Sequence, residues 1–280
     1  MLTPRISLKF LSSEIIFLVN SCAKLQFISI FVKFFFKDMR YKVTMAYNGK
    51  NYHGWQVQPN AVTVQEVLNK CLSMLLHENI ETIGAGRTDA GVHASFYVVH
   101  FDSEKGIADI PNFIYKINKF LPQDIAIYTI EEVSADFNAR FSAKSREYKY
   151  LIHTRKDPFL NDSSWYYPYK LDFDIMQKGC DILLNTTDFA SFCKLGADNV
   201  TTICQLMEAR FDIDGHKVTF TIKADRFLRN MVRAVVGTLI DLGAGRITLE
   251  QFQQIVNAKN RNNAGQSVPG HALSLVNIEY

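Results

Sequence analysis

The chain has 280 residues, of which 48% are hydrophobic and 21% charged, and its formal net charge is +3. This composition is that of an ordinary soluble globular protein able to bury one large core or two smaller ones. The five cysteines are odd in number and form no CxxC pair, and the seven histidines form no HExxH pattern. A disulfide scaffold and a zinc site are therefore not expected, and the cysteines are interpreted as reduced thiols.

Residues 1–38 differ in character from the rest of the chain. They carry five basic and two acidic side chains, which accounts for the whole net charge of +3. Their apolar runs, Ile15–Val19 and Phe27–Phe36, are shorter than the roughly 20 residues of a membrane helix. A signal peptide is an alternative, although no small-residue cleavage site follows. We expect residues 1–38 to be a non-native or leader extension, with Met39 as the natural start.

Hydrophobic periodicity over residues 39–138 predicts the order strand, helix, strand, helix, strand. Thr63 and Glu66 form a capping-box pattern at the start of the first helix. In chain order the predicted elements are a strand over Tyr41–Tyr47, a helix from Thr63 to about His77, a strand over Phe96–Phe101, a helix over Pro111–Lys119 and a strand region from Ile125 to Val133. The polar, basic stretch Asn138–Arg146 follows and is interpreted as a domain junction.

Residues 139–280 repeat this rhythm. The dipeptide Asp214-Gly215 predicts a hairpin turn between two of their strands. The predicted elements are a strand over Tyr148–His153, a helix over Asp174–Leu184, strands over Thr202–Ile213 and Lys217–Ala224, helices over Arg226–Leu242 and Leu249–Ala258, and a closing strand over Ala272–Tyr280. Two halves of similar element order indicate an α+β protein with antiparallel sheets covered by helices on one side.

The stretch Gly84–Ala94 is the strongest candidate for a functional site. Its glycines and alanines allow close backbone approach, and among them lies one carboxylate, Asp89, two residues after Arg87. A neighbouring cation would orient this carboxylate and favour its ionised form. The pattern fits an active-site nucleophile or base, and it also fits a buried structural salt bridge. The glycine spacing excludes the dinucleotide-binding and P-loop fingerprints.

The predicted helix over Arg226–Leu242 carries a second candidate. Arg226, Arg229 and Arg233 have the spacing that places side chains on one helix face. A solvated basic face would explain them, but the neighbours of Arg233 are apolar. An arginine in such surroundings needs a carboxylate or phosphate partner, and Asp89 is a candidate.

A third candidate combines cations with aromatic rings. Such a mixture suits a phosphate backbone and unstacked bases, and an exposed charged strand edge would explain it equally well. Its members are Arg140, Phe141, Lys144, Arg146, Tyr148, Lys149 and Tyr150.

Taken together, these motifs resemble the tRNA pseudouridine synthase A (TruA) family. Gly86–His93 is similar to the signature loop of that family. The other matching motifs follow in family order between Arg40 and Tyr280: Tyr52–Gln56 with Val64–Glu66, Ala139–Ala143 with Arg146, Tyr148–Tyr150, Asp188–Phe192 and Phe227–Gly237. Asn48 replaces an Asp found in many members. The segment Val268–Leu273 matches only roughly, so no role is assigned to it.

The resemblance implies the pseudouridine synthase fold, an α+β fold whose two α/β halves share a central, mainly antiparallel sheet flanked by helices. Residues 39–138 would carry the catalytic loop, and residues 139–280 would complete the active-site cleft. The implied activity is isomerisation of uridine to pseudouridine at positions 38, 39 and 40 in the anticodon stem-loop of tRNA. Such an enzyme breaks the N1–C1′ bond, rotates the base and rejoins it through C5, without a metal or organic cofactor.

The resemblance also implies a role for each site residue. Asp89 is the catalytic carboxylate, and Arg87 helps to extrude the uridine and fills its place in the stack. Tyr148 stacks on the flipped base and takes part in removing the C5 proton. Arg233 pairs with Asp89 and keeps it ionised. We further expect a cytoplasmic homodimer that binds tRNA and neither a membrane nor a small-molecule cofactor.

Two functions of other classes remain open from the residues. One is a non-catalytic RNA-binding protein that uses the same basic and aromatic side chains, which an intact Asp89 argues against. The other is a glycoside or nucleoside hydrolase with Asp89 as its carboxylate. The usual hydrolase mechanism needs a second carboxylate, and none is evident in sequence near the loop.

Overall fold

The computed structural model of the protein describes residues 39–194, 196 and 201–280. The predicted leader extension, residues 1–38, lies outside the described residues. The described strands are β1 Met39–Tyr47, β2 Ile83–Gly84, β3 His93–Ser103, β4 Ile125–Val133, β5 Ser145–His153, β6 Trp165–Tyr166, β7 Leu206–Asp214, β8 Lys217–Ala224 and β9 Leu273–Glu279. The described α-helices are α1 Val64–Leu76, α2 Ile110–Phe120, α3 Phe173–Leu184, α4 Met231–Gly243 and α5 Leu249–Asn257. In this part of the chain no helix is long and apolar enough to span a bilayer.

All described strands join one sheet, whose main path runs β4-β1-β3-β9-β5-β8-β7. Neighbours on this path pair antiparallel, except β3 and β9, which pair in parallel at only two positions, His93 with Ser274 and Ala94 with Leu275. Helices flank this mostly antiparallel sheet, so the predicted α+β fold class is confirmed. The closing strand β9 inserts between β3 of the first half and β5 of the second.

The alternation that predicts β1 is the alternation that the structure buries. Tyr41, Val43, Met45 and Tyr47 are buried, and the residues between them are half-buried. Because side chains of a strand alternate between the two faces of the sheet, the apolar set lies on one face. The first helix begins where its capping residue predicts, since the Thr63 hydroxyl accepts a hydrogen bond from the backbone N–H of Glu66 at 3.3 Å.

The predicted helix over Arg226–Leu242 is wrong at its start. Helix α4 begins at Met231, because Asn230 has a φ of +65° and ends any continuous α-helical run before it. Arg226 and Arg229 therefore precede the helix, and they share no helix face with Arg233. The prediction that Arg226, Arg229 and Arg233 form one basic helix face is wrong.

The hairpin between β7 and β8 is confirmed, with Gly215 at a φ of +57° in its turn. The first strand is shorter than predicted, since β7 begins at Leu206 instead of Thr202. The sheet path keeps β4, β1 and β3 of residues 39–138 together on one side, and β9, β5, β8 and β7 of residues 139–280 on the other. A division into two domains at residue 138 stays a prediction.

Candidate active site

The candidate site is built on the loop between β2 and β3, which carries Asp89. A second segment holds this loop through backbone hydrogen bonds. The N–H of Trp55 donates to the carbonyl of Thr88 at 3.2 Å, and the carbonyl of Tyr52 accepts from the N–H of Gly91, also at 3.2 Å. Asp89 therefore lies between two anchored positions, which restricts the directions its side chain can take.

Two glycines make this close packing possible. Gly54 has a φ of +88°, and a Cβ there would collide with the carbonyl oxygen of Thr88. Gly91 turns the chain towards β3 with a φ of +76°, a conformation that side chains with a Cβ rarely adopt. The hydroxyl of buried Tyr47 lies 2.9 Å from Oγ1 of Thr88 and fixes the loop from the sheet side.

The structure brings Arg233 of helix α4 to Asp89. Its Nη1 lies 3.3 Å from the Asp89 Oδ2, and its Nε donates to the carbonyl of Val268 at 2.7 Å. The side chains of Arg233 and Asp89 are 22% and 26% exposed, so the pair is partly desolvated and still open to a ligand. An arginine held at two of its nitrogens fixes the direction of the carboxylate it contacts.

Tyr148 lies in β5 near this pair. Its ring packs edge-on against Phe227, with ring centroids 5.1 Å apart, and the side chain is buried. Within the described residues its hydroxyl makes no hydrogen bond. Burial and the charge of Asp89 raise the pKa of Tyr148, so the hydroxyl stays protonated at neutral pH. The site therefore holds an oriented carboxylate and a protonated hydroxyl that senses its charge, two groups that suit proton transfer on a bound substrate.

Arg87 does not take the place that its sequence position suggests. Its side chain is exposed, and among the described residues it forms no ion pair with Asp89 or any other carboxylate. The expectation that Arg87 orients Asp89 is wrong, since Arg233 does so from a distant helix. Arg87 is therefore an exposed cation two residues from Asp89, and it forms no ion pair within the described residues.

Known relatives match the sequence over most of the chain. The family described as tRNA pseudouridine synthase matches residues 43–142 and 181–280. The chain is 48% identical to the tRNA pseudouridine synthase A of Parabacteroides distasonis, over 86% of this chain and 96% of that protein. It is 39% identical to the tRNA pseudouridine synthase A of Acetivibrio thermocellus, over 85% of this chain and 98% of that protein. The chain belongs to the tRNA pseudouridine synthase family.

This assignment makes the chain an RNA pseudouridine synthase, an enzyme of the isomerase class. It also gives a common context to the three candidate motifs found in the sequence. The loop with Asp89, strand β5 with Tyr148 and the start of helix α4 with Arg233 come from distant parts of the synthase and meet at one place. The roles of these residues in the reaction stay predictions.

One part of the synthase site was missed from the sequence. The segment Val268–Ala272, to which no role was assigned, lies against the loop of Asp89. Its carbonyls accept three hydrogen bonds: Val268 from Arg233 Nε at 2.7 Å, Pro269 from the Tyr150 hydroxyl at 3.0 Å, and His271 from the His93 ring at 2.7 Å. This segment positions Arg233, and backbone acceptors give no sequence signal.

The buried histidines His93 and His100 both bond to the backbone. His93 Nδ1 accepts from the N–H of Gly49 at 3.0 Å, and His100 Nδ1 accepts from the N–H of Ala139 at 3.1 Å. Burial lowers the pKa of His100, which keeps its ring neutral at neutral pH. In the described residues no group of three His, Cys, Asp or Glu side chains is arranged to hold a metal ion.

The basic and aromatic cluster of residues 140–150 does not form one surface. Arg146 is half-buried and donates four hydrogen bonds to backbone carbonyls, including those of Arg140 and Ala85, so it is a structural residue. Lys149 alternates with Tyr148 along β5 and lies on the opposite face of the sheet. Arg140 and Phe141 remain exposed and are free to meet RNA.

We expect the substitution Arg87→Gln to weaken catalysis without weakening the fold. The side chain is exposed and unpaired in the described part of the chain, so the midpoint of thermal unfolding should shift by no more than about 1 °C. The resemblance to the TruA family implies that Arg87 contacts the RNA, so loss of this cation should lower kcat/KM by about tenfold or more. The steady-state release of tritium from C5 of a labelled uridine measures kcat/KM, and a thermal melt measures stability. A large loss of stability, or an unchanged kcat/KM, would contradict this placement of Arg87.

Proposed function

We propose that this synthase isomerises uridine at positions 38, 39 and 40 in the anticodon stem-loop of tRNA. The observation that carries the proposal is the carboxylate of Asp89, which Arg233 orients and whose charge acts on the buried Tyr148. The positions are those implied by the resemblance to the TruA family. The tRNA pseudouridine synthase A proteins of Parabacteroides distasonis and Bacteroides fragilis, both 48% identical to this chain, support tRNA as the substrate.

In the proposed reaction the target uridine leaves the base stack, because the duplex hides the atoms that react. Arg87 fills the space that the base vacates. Asp89 acts at the ribose or base while the N1–C1′ bond breaks. The uracil then rotates and C5 bonds to C1′, after which C5 loses its proton and N1 gains one. The substrate and product are isomers, so the reaction balances without an oxidant, a reductant or a second substrate.

Tyr148 is proposed to stack on the flipped base and to pass on the C5 proton. Its hydroxyl is protonated at neutral pH because burial and the charge of Asp89 raise its pKa, so it serves as a relay and not as a phenolate base. The ring and the hydroxyl therefore have separable roles, one in holding the base and the other in moving the proton.

We expect Tyr148→Phe to keep RNA binding and to lower kcat by about 10²-fold, the loss typical of a missing proton-transfer group. Tyr148→Leu should lose the stacking surface as well and weaken binding further. Single-turnover rates with a labelled stem-loop, together with its dissociation constant, measure both. If Tyr148→Phe turns over like the unmodified enzyme, the hydroxyl has no part in proton transfer.

The substrate positions are tested with stem-loop RNAs that carry tritium at C5 of one uridine, at position 38, 39 or 40. Forming the C5–C1′ bond releases that tritium to water, whereas binding alone does not. Release from each of the three, and none from a uridine labelled elsewhere in the stem-loop, is the expected result. Release of free uracil would indicate a hydrolase. Absence of release from all three would remove the proposed positions.

The proposed synthase works as a homodimer in the cytoplasm, where tRNA is modified, and needs neither metal nor organic cofactor. The dimer is taken from the resemblance to the TruA family. Light scattering coupled to gel filtration should give twice the 32.0 kDa mass of one chain. A single-chain mass at micromolar concentration would remove the dimer from the proposal. Activity retained in the presence of a chelator is the matching test for the metal.

A further inference from the structure

An open pocket of about 620 Å³ adjoins Arg233, the arginine that contacts Asp89. Arg233 forms part of its wall, so the pocket begins within one arginine side chain of the carboxylate. The neighbours of Arg233 in this wall are Lys194, Asn230, Arg261, Asn262 and Ala264. We call this the basic pocket. The proposed chemistry at Asp89 does not use it.

The basic pocket has a one-sided charge. Three of its residues are cations, and none is acidic. Within the described part of the chain, Lys194 and Arg261 pair with no carboxylate, whereas Arg233 pairs with Asp89. The backbone of Arg229 lies next to the pocket, since its carbonyl accepts from the N–H of Lys194 at 3.1 Å, and the residue is exposed. Lys194 and Arg261, which have no counter-charge among the described residues, repel each other, and an anion offsets that cost.

Arg261 is held in place before any ligand arrives. Its Nη1 donates to the carbonyl of Ala264 at 3.2 Å and its Nη2 to the hydroxyl of Ser267 at 3.0 Å. The same hydroxyl accepts from Nδ2 of Asn230 at 2.6 Å, which ties Arg261 to the residue before helix α4. A guanidinium has five N–H groups, and these two bonds leave three of them for a ligand. A fixed fork of this kind suits phosphate oxygens.

We propose that the basic pocket binds a backbone phosphate of the substrate RNA next to the flipped uridine, with Arg261 and Lys194 as its main contacts. The inference rests on the proposed function, because it takes the uridine to be bound at Asp89. Arg233 contacts Asp89 and also lines the pocket, so a nucleotide whose base reaches Asp89 can place an adjacent phosphate in the pocket. Phosphate contacts fix the register of a nucleic acid without reading its sequence. The pocket thus positions the nucleotide for the reaction at Asp89.

The test compares Arg261→Gln with Arg261→Lys and with the control Arg246→Gln. Arg246 lies just beyond the C-terminal end of helix α4, about 20 Å along the helix from Arg233. It pairs with Asp241. Arg261→Gln should raise KM for the stem-loop about tenfold with little change in kcat, and should reduce the salt dependence of binding by about one phosphate contact. Arg261→Lys should restore the salt slope and reverse part of the rise in KM, because lysine keeps the charge without the fork, and Arg246→Gln should match the unmodified enzyme.

The same variants are measured for RNA binding in an Asp89→Asn background, so that the pocket is tested apart from catalysis. Weaker binding with a smaller salt slope for Arg261→Gln supports the pocket even if the enzyme with intact Asp89 forms no pseudouridine, in which case the proposed function alone fails. Normal activity with unchanged KM and salt slope for Arg261→Gln overturns the pocket and leaves the proposed function standing. A loss that Arg261→Lys does not recover, together with a lower melting temperature, assigns Arg261 a structural role and also overturns it. Lys194→Gln is a second variant of the pocket. It replaces an exposed side chain, so the protein should fold normally.

Discussion

Asp89→Asn is expected to lower the rate of pseudouridine formation by at least about 10³-fold, the loss typical of removing a group that takes part directly in bond breaking. Asparagine has nearly the same shape and can still accept a hydrogen bond from Arg233. The loop is held by the backbone of Tyr52 and Trp55, so its conformation should survive the substitution. Single-turnover tritium release measures the rate, and the dissociation constant of the stem-loop should change by no more than about threefold.

This variant also separates the two interpretations that the sequence left open for Asp89. A purely structural salt bridge predicts a lower melting temperature and a nearly normal rate. A catalytic carboxylate predicts a nearly normal melting temperature and a lost rate, because the ion pair is partly exposed and contributes little to stability. Asp102→Asn is a matched control, since it breaks the partly exposed ion pair of Asp102 with Arg40 at the other end of β3 from the loop of Asp89.

Arg233→Gln is expected to lower kcat by about 10²-fold. The substitution removes the contact of Nη1 with Asp89 and the bond of Nε to the carbonyl of Val268. The Asp89 carboxylate then has no fixed orientation. A misplacement of about 1 Å at a reacting group lowers the rate by about 10²-fold. Binding of RNA should weaken less than catalysis, because Arg261 and Lys194 remain in the basic pocket.

Arg233→Lys provides the control for this prediction. Lysine keeps the charge but has one nitrogen, so it cannot contact Asp89 and Val268 together. Its kcat should lie between those of the unmodified enzyme and Arg233→Gln. Equal rates for all three proteins would mean that the pairing seen in the structure has no part in catalysis. A melting temperature measured for each variant separates misplacement of Asp89 from general unfolding.

Much of the fold could be predicted because its signals are local. The alternating apolar residues of β1 and the cap at Thr63 depend on contacts within one strand or one helical turn, so the sequence predicts them. The start of helix α4 was predicted wrongly for the opposite reason. Its boundary depends on the left-handed conformation of Asn230, which asparagine tolerates without requiring it. No glycine or proline marks the position.

The site was predictable in its residue types and only partly in its contacts. Arg87 lies two residues from Asp89 in the chain and yet faces solvent, whereas Arg233 is 144 residues away and makes the ion pair. Proximity in sequence says little about a loop whose side chains leave in different directions. The segment Val268–Ala272 acts through its carbonyls, which every residue possesses. Its part in holding Arg233 therefore has no signature in the side chains.

The sequence by itself determined which chemistry-bearing residues the protein has, most of its strands and helices, and its membership in a family of RNA isomerases. The tertiary structure decided that Arg233 is the cation that contacts Asp89. It also decided that Arg146 donates its hydrogen bonds to backbone carbonyls, and that Lys194 and Arg261 share a pocket with Arg233. The physical reason is the sheet. Strand β9 inserts between β3 and β5 and carries the segment before it across the loop of Asp89, a pairing between distant segments that no local pattern specifies.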